Sequence, residues 1–340
     1  EDDAALVSPA FFSRVMTVLK GDLGWSALVA SALRGPELSR LSPTRQTKLG
    51  ELIEDLLSFV SIACQTSHTV PSLPVRDVSS ALALLAASLG ESALVDNADA
   101  HERHMLSAVA WGIGGVLKMA DRDKVDAFLR SKAWASSMPQ DGTIFDHRVD
   151  QKTGRWEPWL PSSLATPPAP DQLLRGSLLV PTADSVCFVH LGSLAQSRSR
   201  SVLLVGGSGT GKSCTMRMLL ERLKHSRPTA VVGCDAGLDP ASLQALLAEE
   251  VAKQDVDLSS DRARLLLFLD DVAVVGTQTT RGVASRAAVA SRAVSVRPTL
   301  ELLRQLIEER SCHDLTRCGE RMVVDLSLAA TMLPPTVGKA

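Results

Sequence analysis

The chain contains no tyrosine, and aromatic residues make up only 4% of its 340 positions. This follows a general bias toward Ala, Ser, Leu and Val and points to no function by itself. No CxxC pair occurs among the six cysteines, Cys64, Cys187, Cys214, Cys234, Cys312 and Cys318. Their scatter argues against a disulfide framework and for reduced, buried thiols in an intracellular protein. Cys312, His313 and Cys318 lack a fourth ligand at zinc spacing. His101 and His104 stand in HERH rather than HExxH, which excludes a zincin site. No apolar run reaches the roughly 18 residues needed to cross a bilayer. The chain opens on Glu1-Asp2-Asp3, with neither an initiator Met nor a basic-then-apolar leader, and reads as a piece of something longer. Excess charge is lacking too. The net charge of −2 gives no global reason to expect nucleic acid or an anionic membrane as partner.

What is present is ordinary globular material, 45% hydrophobic and 22% charged, in a chain long enough for two domains. Residues 1–135 read as helical. Leu49, Leu52, Ile53, Leu56, Leu57 and Val60 recur at the spacing of a buried helix face. Further helices are expected over 75–89, 104–117 and 124–134. The third carries WGIGG (111–115), whose glycines suit close helix packing better than phosphate binding, because no strand precedes them. Residues 136–175 change character. DGTIFDHRVDQKTGRWEPW (141–159) reads as a β-hairpin with a Lys-Thr-Gly turn, and the proline-rich LATPPAP as a loop. From 176 to 340 strands and helices alternate. Strands are expected at SLLVPT (177–182), 202–205, TAVVGC (229–234), LLLFLD (265–270) and RMVVDLSLAATM (321–332). Helices are expected over 183–196, 212–224 and 240–252, the last entered through Asp239 as N-cap and Pro240. LLLFLD shows no alternation, as suits a parallel strand covered on both faces. The fold class is therefore α/β on a parallel sheet, preceded by a helical subdomain.

The sharpest motif is VLLVGGSGTGKSCTMRML (202–219). Gly206, Gly207, Ser208, Gly209, Thr210, Gly211, Lys212 and Ser213 fit GxxxxGK[ST], with a strand before and a helix after. The glycines let successive backbone N–H groups curl around a phosphate, and the helix N-terminus adds its positive end. Lys212 is placed to reach the outer phosphates of ATP or ADP, Ser213 offers a hydroxyl to Mg²⁺, and Cys214 closes the cradle. The required acidic strand follows in RLLLFLDD. Asp270 is expected to hold Mg²⁺ with Ser213, and Asp271 to act as base or to position water. The stretch TTRGVASRAAVASRAVSVR (279–297) carries four arginines and no acid. A nucleic-acid contact is one reading. A solvated insertion is the simpler one, since no aromatics interleave for base stacking.

In this order the pieces resemble a dynein heavy chain of axonemal type, at the junction of the second and third AAA+ modules of the motor ring. GDLGW (21–25) and the helices through SAVAWGIGGVLKMADRDKVDAFLR (107–130) resemble the helical small subdomain closing the second module. The hairpin resembles the segment ahead of the third. LLVPTADS (178–185), the phosphate loop, LFLDD, GTQ (276–278), LELLRQLIEE (300–309) and DLSLAATMLPP (325–335) follow in the family's order. The resemblance implies an ATP-powered motor on microtubules in the cilium or flagellum axoneme. Its partners would be neighbouring AAA+ modules, other dynein chains, and microtubules through parts of the chain not present here, with no membrane and with nucleic acid not expected.

Four features depart from the family pattern. VAVV (272–275) stands, shortened, where an Asn-Met-Pro run is usual, and the arginine-dotted stretch parts GTQ from LELLRQ. Met332 and Leu333 lie where a polar sensor is expected. The chain stops before the module's lid, its sensor arginine and the arginine finger of the next module. Asp271 also reaches one methylene less than the Glu of many AAA+ ATPases. The expectation is a slow or regulatory nucleotide site within a motor. The alternatives are a degenerate nucleotide-binding scaffold and another AAA+ ATPase acting on nucleic acid.

Overall fold

A computed structural model describes residues 41–63, 74–90, 98–160, 180–235, 237–253, 265–272, 298–315, 321–323 and 326–334. GDLGW, GTQ and the arginine-dotted stretch 279–297 lie outside them. The first half is a helical cluster. In α1 (Pro43–Ala63) the periodic residues Leu49, Leu52, Ile53, Leu56, Leu57 and Val60 are all buried. They pack with Val78, Ala81, Leu82 and Leu85 of α2 (Pro74–Gly90). The third helix differs from expectation. α3 spans Ala98–Val109, starting six residues early, and its last turn widens into a π turn at Ala110–Gly114. WGIGG does serve close packing. A Cβ on Gly112 would stand 2.4 Å from the Ala81 Cα, and one on Gly114 would stand 2.9 Å from the Phe145 ring. The fourth helix also begins early. α4 runs Met119–Arg130, with Asp121 in its first turn and Arg130 in its last, the arrangement its dipole favours. A 3₁₀ turn, Ala133–Ser137, takes the place of its expected end. The hairpin forms as expected, with β1 (His147–Val149) antiparallel to β2 (Trp156–Pro158). Its turn is held by the Asp150 carboxylate, which accepts from the Lys152 and Thr153 amides, and by Gly154 at φ +65°.

The second half is an α/β unit. Its elements are α5 (Ala183–Ser197), β3 (Val202–Val205), α6 (Lys212–Leu223), β4 (Thr229–Gly233), α7 (Pro240–Lys253), β5 (Leu265–Asp270), α8 (Pro298–Glu309), β6 (Ser311–His313), β7 (Arg321–Val323) and β8 (Leu326–Met332). β3, β8, β5 and β4 form, in that order, an all-parallel sheet. β5 shows why its sequence does not alternate. Leu266 and Phe268 join one core layer with Met216 and Leu219 of α6, while Leu265, Leu267 and Leu269 join another with Leu243, Leu247, Leu302 and Leu306 of α7 and α8. Asp239 caps α7 by accepting from the Ser242 amide at 2.7 Å.

Two strand expectations need correcting. RMVVDLSLAATM is not one strand. Arg321–Val323 pairs antiparallel with Ser311–His313 as a separate small hairpin, and the parallel strand begins only at Leu326. Within SLLVPT, residues 177–179 lie outside the described set and Val180–Thr182 form no strand. Thr182 instead caps α5: its hydroxyl accepts from the Ser185 amide at 3.2 Å, and the Ser185 hydroxyl accepts from the Thr182 amide at 2.8 Å.

α5 belongs to both halves. Its Cys187 is part of the helical core, while Val189 belongs to the sheet core. Gly192 lets it lie close on α6, where a Cβ would meet Leu219 at 2.9 Å. Apolar side chains on opposite faces are what a helix buried on two sides requires.

Candidate functional site

The phosphate loop leaves β3 at Gly206 and enters α6 at Lys212. Gly209 and Gly211 sit at φ +77° and +80°, where a side chain would be strained. A Cβ on Gly206 would approach the Thr210 hydroxyl oxygen to 2.9 Å. That hydroxyl donates to the Gly207 carbonyl at 2.9 Å, and the Lys212 ammonium donates to the same carbonyl at 2.7 Å. The loop's shape and its one cation are therefore fixed within the loop itself. Cys214 is exposed at the first turn of α6 and lines the same cavity as Gly209–Lys212.

The acidic end comes from the sheet order. β8 lies between β3 and β5, with Ala330 opposite Leu269, so Thr331 falls level with Asp270. The Ser213 hydroxyl donates to Asp270 Oδ1 at 2.7 Å, and the Thr331 hydroxyl donates to the same oxygen at 2.7 Å. Thr331 Oγ1 in turn accepts the Asp271 amide at 2.8 Å. Loop, acidic strand and β8 thus meet at one carboxylate. Thr331 is the residue that sequence reasoning missed. The polar group at the end of this strand is Thr331, not the apolar Met332 and Leu333 that follow it. In the sequence Thr331 is marked only as a lone hydroxyl in an otherwise apolar strand end; in the structure it is 1% exposed.

Ser213 and Asp270 present two adjacent oxygens beside the loop. That donor set suits Mg²⁺, which keeps several waters and takes one or two protein ligands alongside substrate phosphates. Asp271 lies at φ +60°, a region that Asp tolerates better than most side chains. Its Oδ1 is shut from solvent and has no hydrogen-bond partner among the described residues. Cys234, whose amide donates to the Asp270 carbonyl at 3.1 Å, is pushed up to about 11 by burial and by the nearby acids, so its thiol stays protonated.

The loop opens into a cavity of about 780 Å³. Val180, Leu203 and Met218 from the α/β unit are among its apolar lining. The helical half also contributes to its lining: Gly115, Val116 and Leu117 after the π turn, and Arg122 of α4. The Arg122 guanidinium lies 5.3 Å from the Trp111 ring centroid and 5.6 Å from that of Phe145, and donates to the Gly115 carbonyl at 2.7 Å. Size, shape and lining suit a ligand with an anionic end and a flat, apolar-faced end.

Known proteins resemble this chain in sequence. Residues 46–161 match the family model for the dynein heavy chain AAA lid domain, and residues 168–282 match that for the P-loop containing dynein motor region. Human dynein axonemal heavy chain 2 is 27% identical in an alignment that takes in 99% of this chain and 8% of its own. The dynein-1-beta heavy chain of the flagellar inner arm I1 complex of Chlamydomonas reinhardtii is 29% identical over 70% of this chain and 5% of its own. The dynein gamma chain of the flagellar outer arm of the same alga is 25% identical over 98% of this chain and 7% of its own. The chain thus spans under a tenth of the length of the relatives it matches. The P-loop motor region carries nucleotide binding with it. With the lid model on the helical half and the motor-region model on the phosphate-loop half, the chain belongs to the dynein heavy-chain family.

Proposed function

We propose that this chain is the lid of one AAA+ module and the nucleotide-binding core of the next, in the ring of an axonemal dynein that moves along microtubules in a cilium or flagellum. Its ligand is ATP or ADP with Mg²⁺, and its partners are the neighbouring modules, other dynein chains and, through the rest of the motor, the microtubule. The relatives' names, axonemal and flagellar, support the setting. The observation that carries the nucleotide site is the meeting of Ser213, Asp270 and Thr331 beside the glycine loop. Residues Gly206–Cys214 hold the phosphates through backbone amides, and Lys212 leaves its carbonyl to neutralise them. Ser213 and Asp270 hold the metal. Mg²⁺, when bound, neutralises charge on the transferring phosphoryl group.

Asp271 is the candidate to hold or activate the attacking water. Its buried Oδ1, without a hydrogen-bond partner among the described residues, supports that role, since such an oxygen is costly unless a donor arrives. A displacement of about 1 Å in such a group can cost about a hundredfold in rate. The short reach of Asp relative to Glu therefore supports a slow, regulatory site. The test is Lys212→Ala. Calorimetric titration with ADP and Mg²⁺ should show binding to the parent chain and none to the variant. Equal affinity in both would remove the site assignment.

A further inference from the structure

A second cavity, of about 320 Å³, lies where α5 packs beside the end of α6, and it shares no lining residue with the phosphate-loop cleft. Its polar lining is His190, Ser193 and Ser197 of α5, with Arg222, Ser226 and Arg227 at and after the last turn of α6. Among the described residues no acidic side chain lines it. Arg227 is held in place from behind: its guanidinium donates to Gln196 Oε1 and to the Gln196 carbonyl, each at 3.2 Å, and Gln196 is wholly buried. Arg222 is exposed and makes no hydrogen bond or ion pair among the described residues. The Ser193, Ser197 and Ser226 hydroxyls donate to the Val189, Leu194 and Leu223 carbonyls at 2.8 Å each, and a hydroxyl proton can turn to a stronger acceptor. Cations at helix C-termini answer the helix dipole, and α5 and α6 both end here. Each helix end carries only about half a negative charge, so two ends offset one guanidinium and leave the other uncompensated. The remaining field is positive: after burial, Arg222, Arg148 and His104 all oppose a proton on His190. Paired guanidinium forks with hydroxyls around them match a tetrahedral oxyanion.

We propose that this pocket binds a phosphate-type oxyanion, held by Arg222 and Arg227 with the Ser193, Ser197 and Ser226 hydroxyls beside it. Arg222 follows Lys212 by ten residues, about 15 Å along the helix, so this site is distinct from the phosphate loop and does not rest on the nucleotide reading. The anion is free phosphate or the phosphate of an ester. The apolar lining is limited to Leu194 and Leu223, which offer a nucleoside no flat surface, so free phosphate is the better fit.

The test uses the 340-residue chain carrying Lys212→Ala, so that the phosphate loop does not compete. Calorimetric titration with inorganic phosphate should show binding. Adding Arg222→Ala should weaken it by roughly tenfold or more, through the loss of charge-assisted hydrogen bonds. Arg222 is exposed and Ala is a strong helix former, so the fold should hold. Adding Arg217→Ala instead removes an exposed charge of α6 outside the pocket and should leave the affinity unchanged. Titration with AMP tells the source of the anion: weaker binding than phosphate supports free phosphate in the pocket, and tighter binding that needs Arg222 supports an ester there. Absence of binding by both ligands would overturn the proposal. So would undiminished affinity without Arg222, or equal losses in the Arg222 and Arg217 variants, which would mark a diffuse attraction to the surface. ADP binding by the parent chain tests the nucleotide site separately and can succeed or fail without changing these outcomes.

Discussion

Asp271 is the residue on which the proposed water-activating role rests. It is held at φ +60° with its amide on Thr331, and its Oδ1 is shut from solvent with no hydrogen-bond partner among the described residues. Asn tolerates the same backbone region and has the same shape, but it carries no charge and is no base. Asp271→Asn should therefore fold at least as stably as the parent, because a buried oxygen without a donor is no longer anionic. Its affinity for ADP should be unchanged, because Lys212, Ser213 and Asp270 keep their places. Hydrolysis at this site should vanish. Urea unfolding and ADP titration of the chain, with single-turnover ATP cleavage in the intact motor, read the three effects separately. A variant that unfolds early or loses ADP would show that Asp271 supports the loop rather than the water. The motif pattern made the loop and the acidic pair legible, since each needs fixed residue types at fixed spacing. Thr331 was not legible in the same way. Its position depends on β8 lying between β3 and β5, and strand order is not written in local spacing.

At the scale of elements, the α2–α3 contact shows how a sequence feature can be understood in kind and misplaced in extent. Three glycines in WGIGG signal close packing, and Gly112 does meet the Ala81 backbone. Glycine spacing does not reveal that the helix ends at Val109 and opens into a π turn, because that depends on what the turn must clear in α2. Similarly, RMVVDLSLAATM reads as one apolar run, and only pairing with Ser311–His313 splits it. The packing carries a prediction. Gly112→Ala would place a methyl 2.4 Å from the Ala81 Cα and 2.5 Å from its amide nitrogen, both rigid helix backbone. α2 or the π turn must move. The expected cost is about 1–3 kcal/mol or more, read as a lower urea midpoint with unchanged slope. An unchanged midpoint would mean that α2 and the π turn are free to slide apart.

At the scale of the whole molecule, α5 makes lid and sheet one unit, and the buried charges near it set how that unit responds to acid. His104 on α3 and His190 on α5 border the same small space, with Trp159, Leu84 and Leu194 around them. Burial, then His101, pulls His104 from 6.5 to about 4, while Asp150 pulls weakly the other way. Burial, then Arg222, Arg148 and His104, brings His190 from 6.5 to about 4. The space between them is about 10 Å³, at the lower limit for one water, so a proton arriving there finds little hydration. Between pH 6.5 and pH 4 the unfolded chain binds more protons at these rings than the folded one. Stability therefore rises with pH across that window and falls as pH drops through it. Each ring should cost roughly 2 kcal/mol at pH 5 relative to pH 8. Carboxylates such as Asp150 and Glu102 are held low in the folded chain, so their contribution is lost only at more acid pH. Urea midpoints of the parent chain and of a His104→Gln/His190→Gln double variant, measured between pH 8 and pH 5, separate the two effects. The parent should lose stability steeply below pH 6.5 while the variant stays nearly level. Parallel curves would mean that the rings are hydrated in the folded chain and that α5 does not seal the junction between lid and sheet.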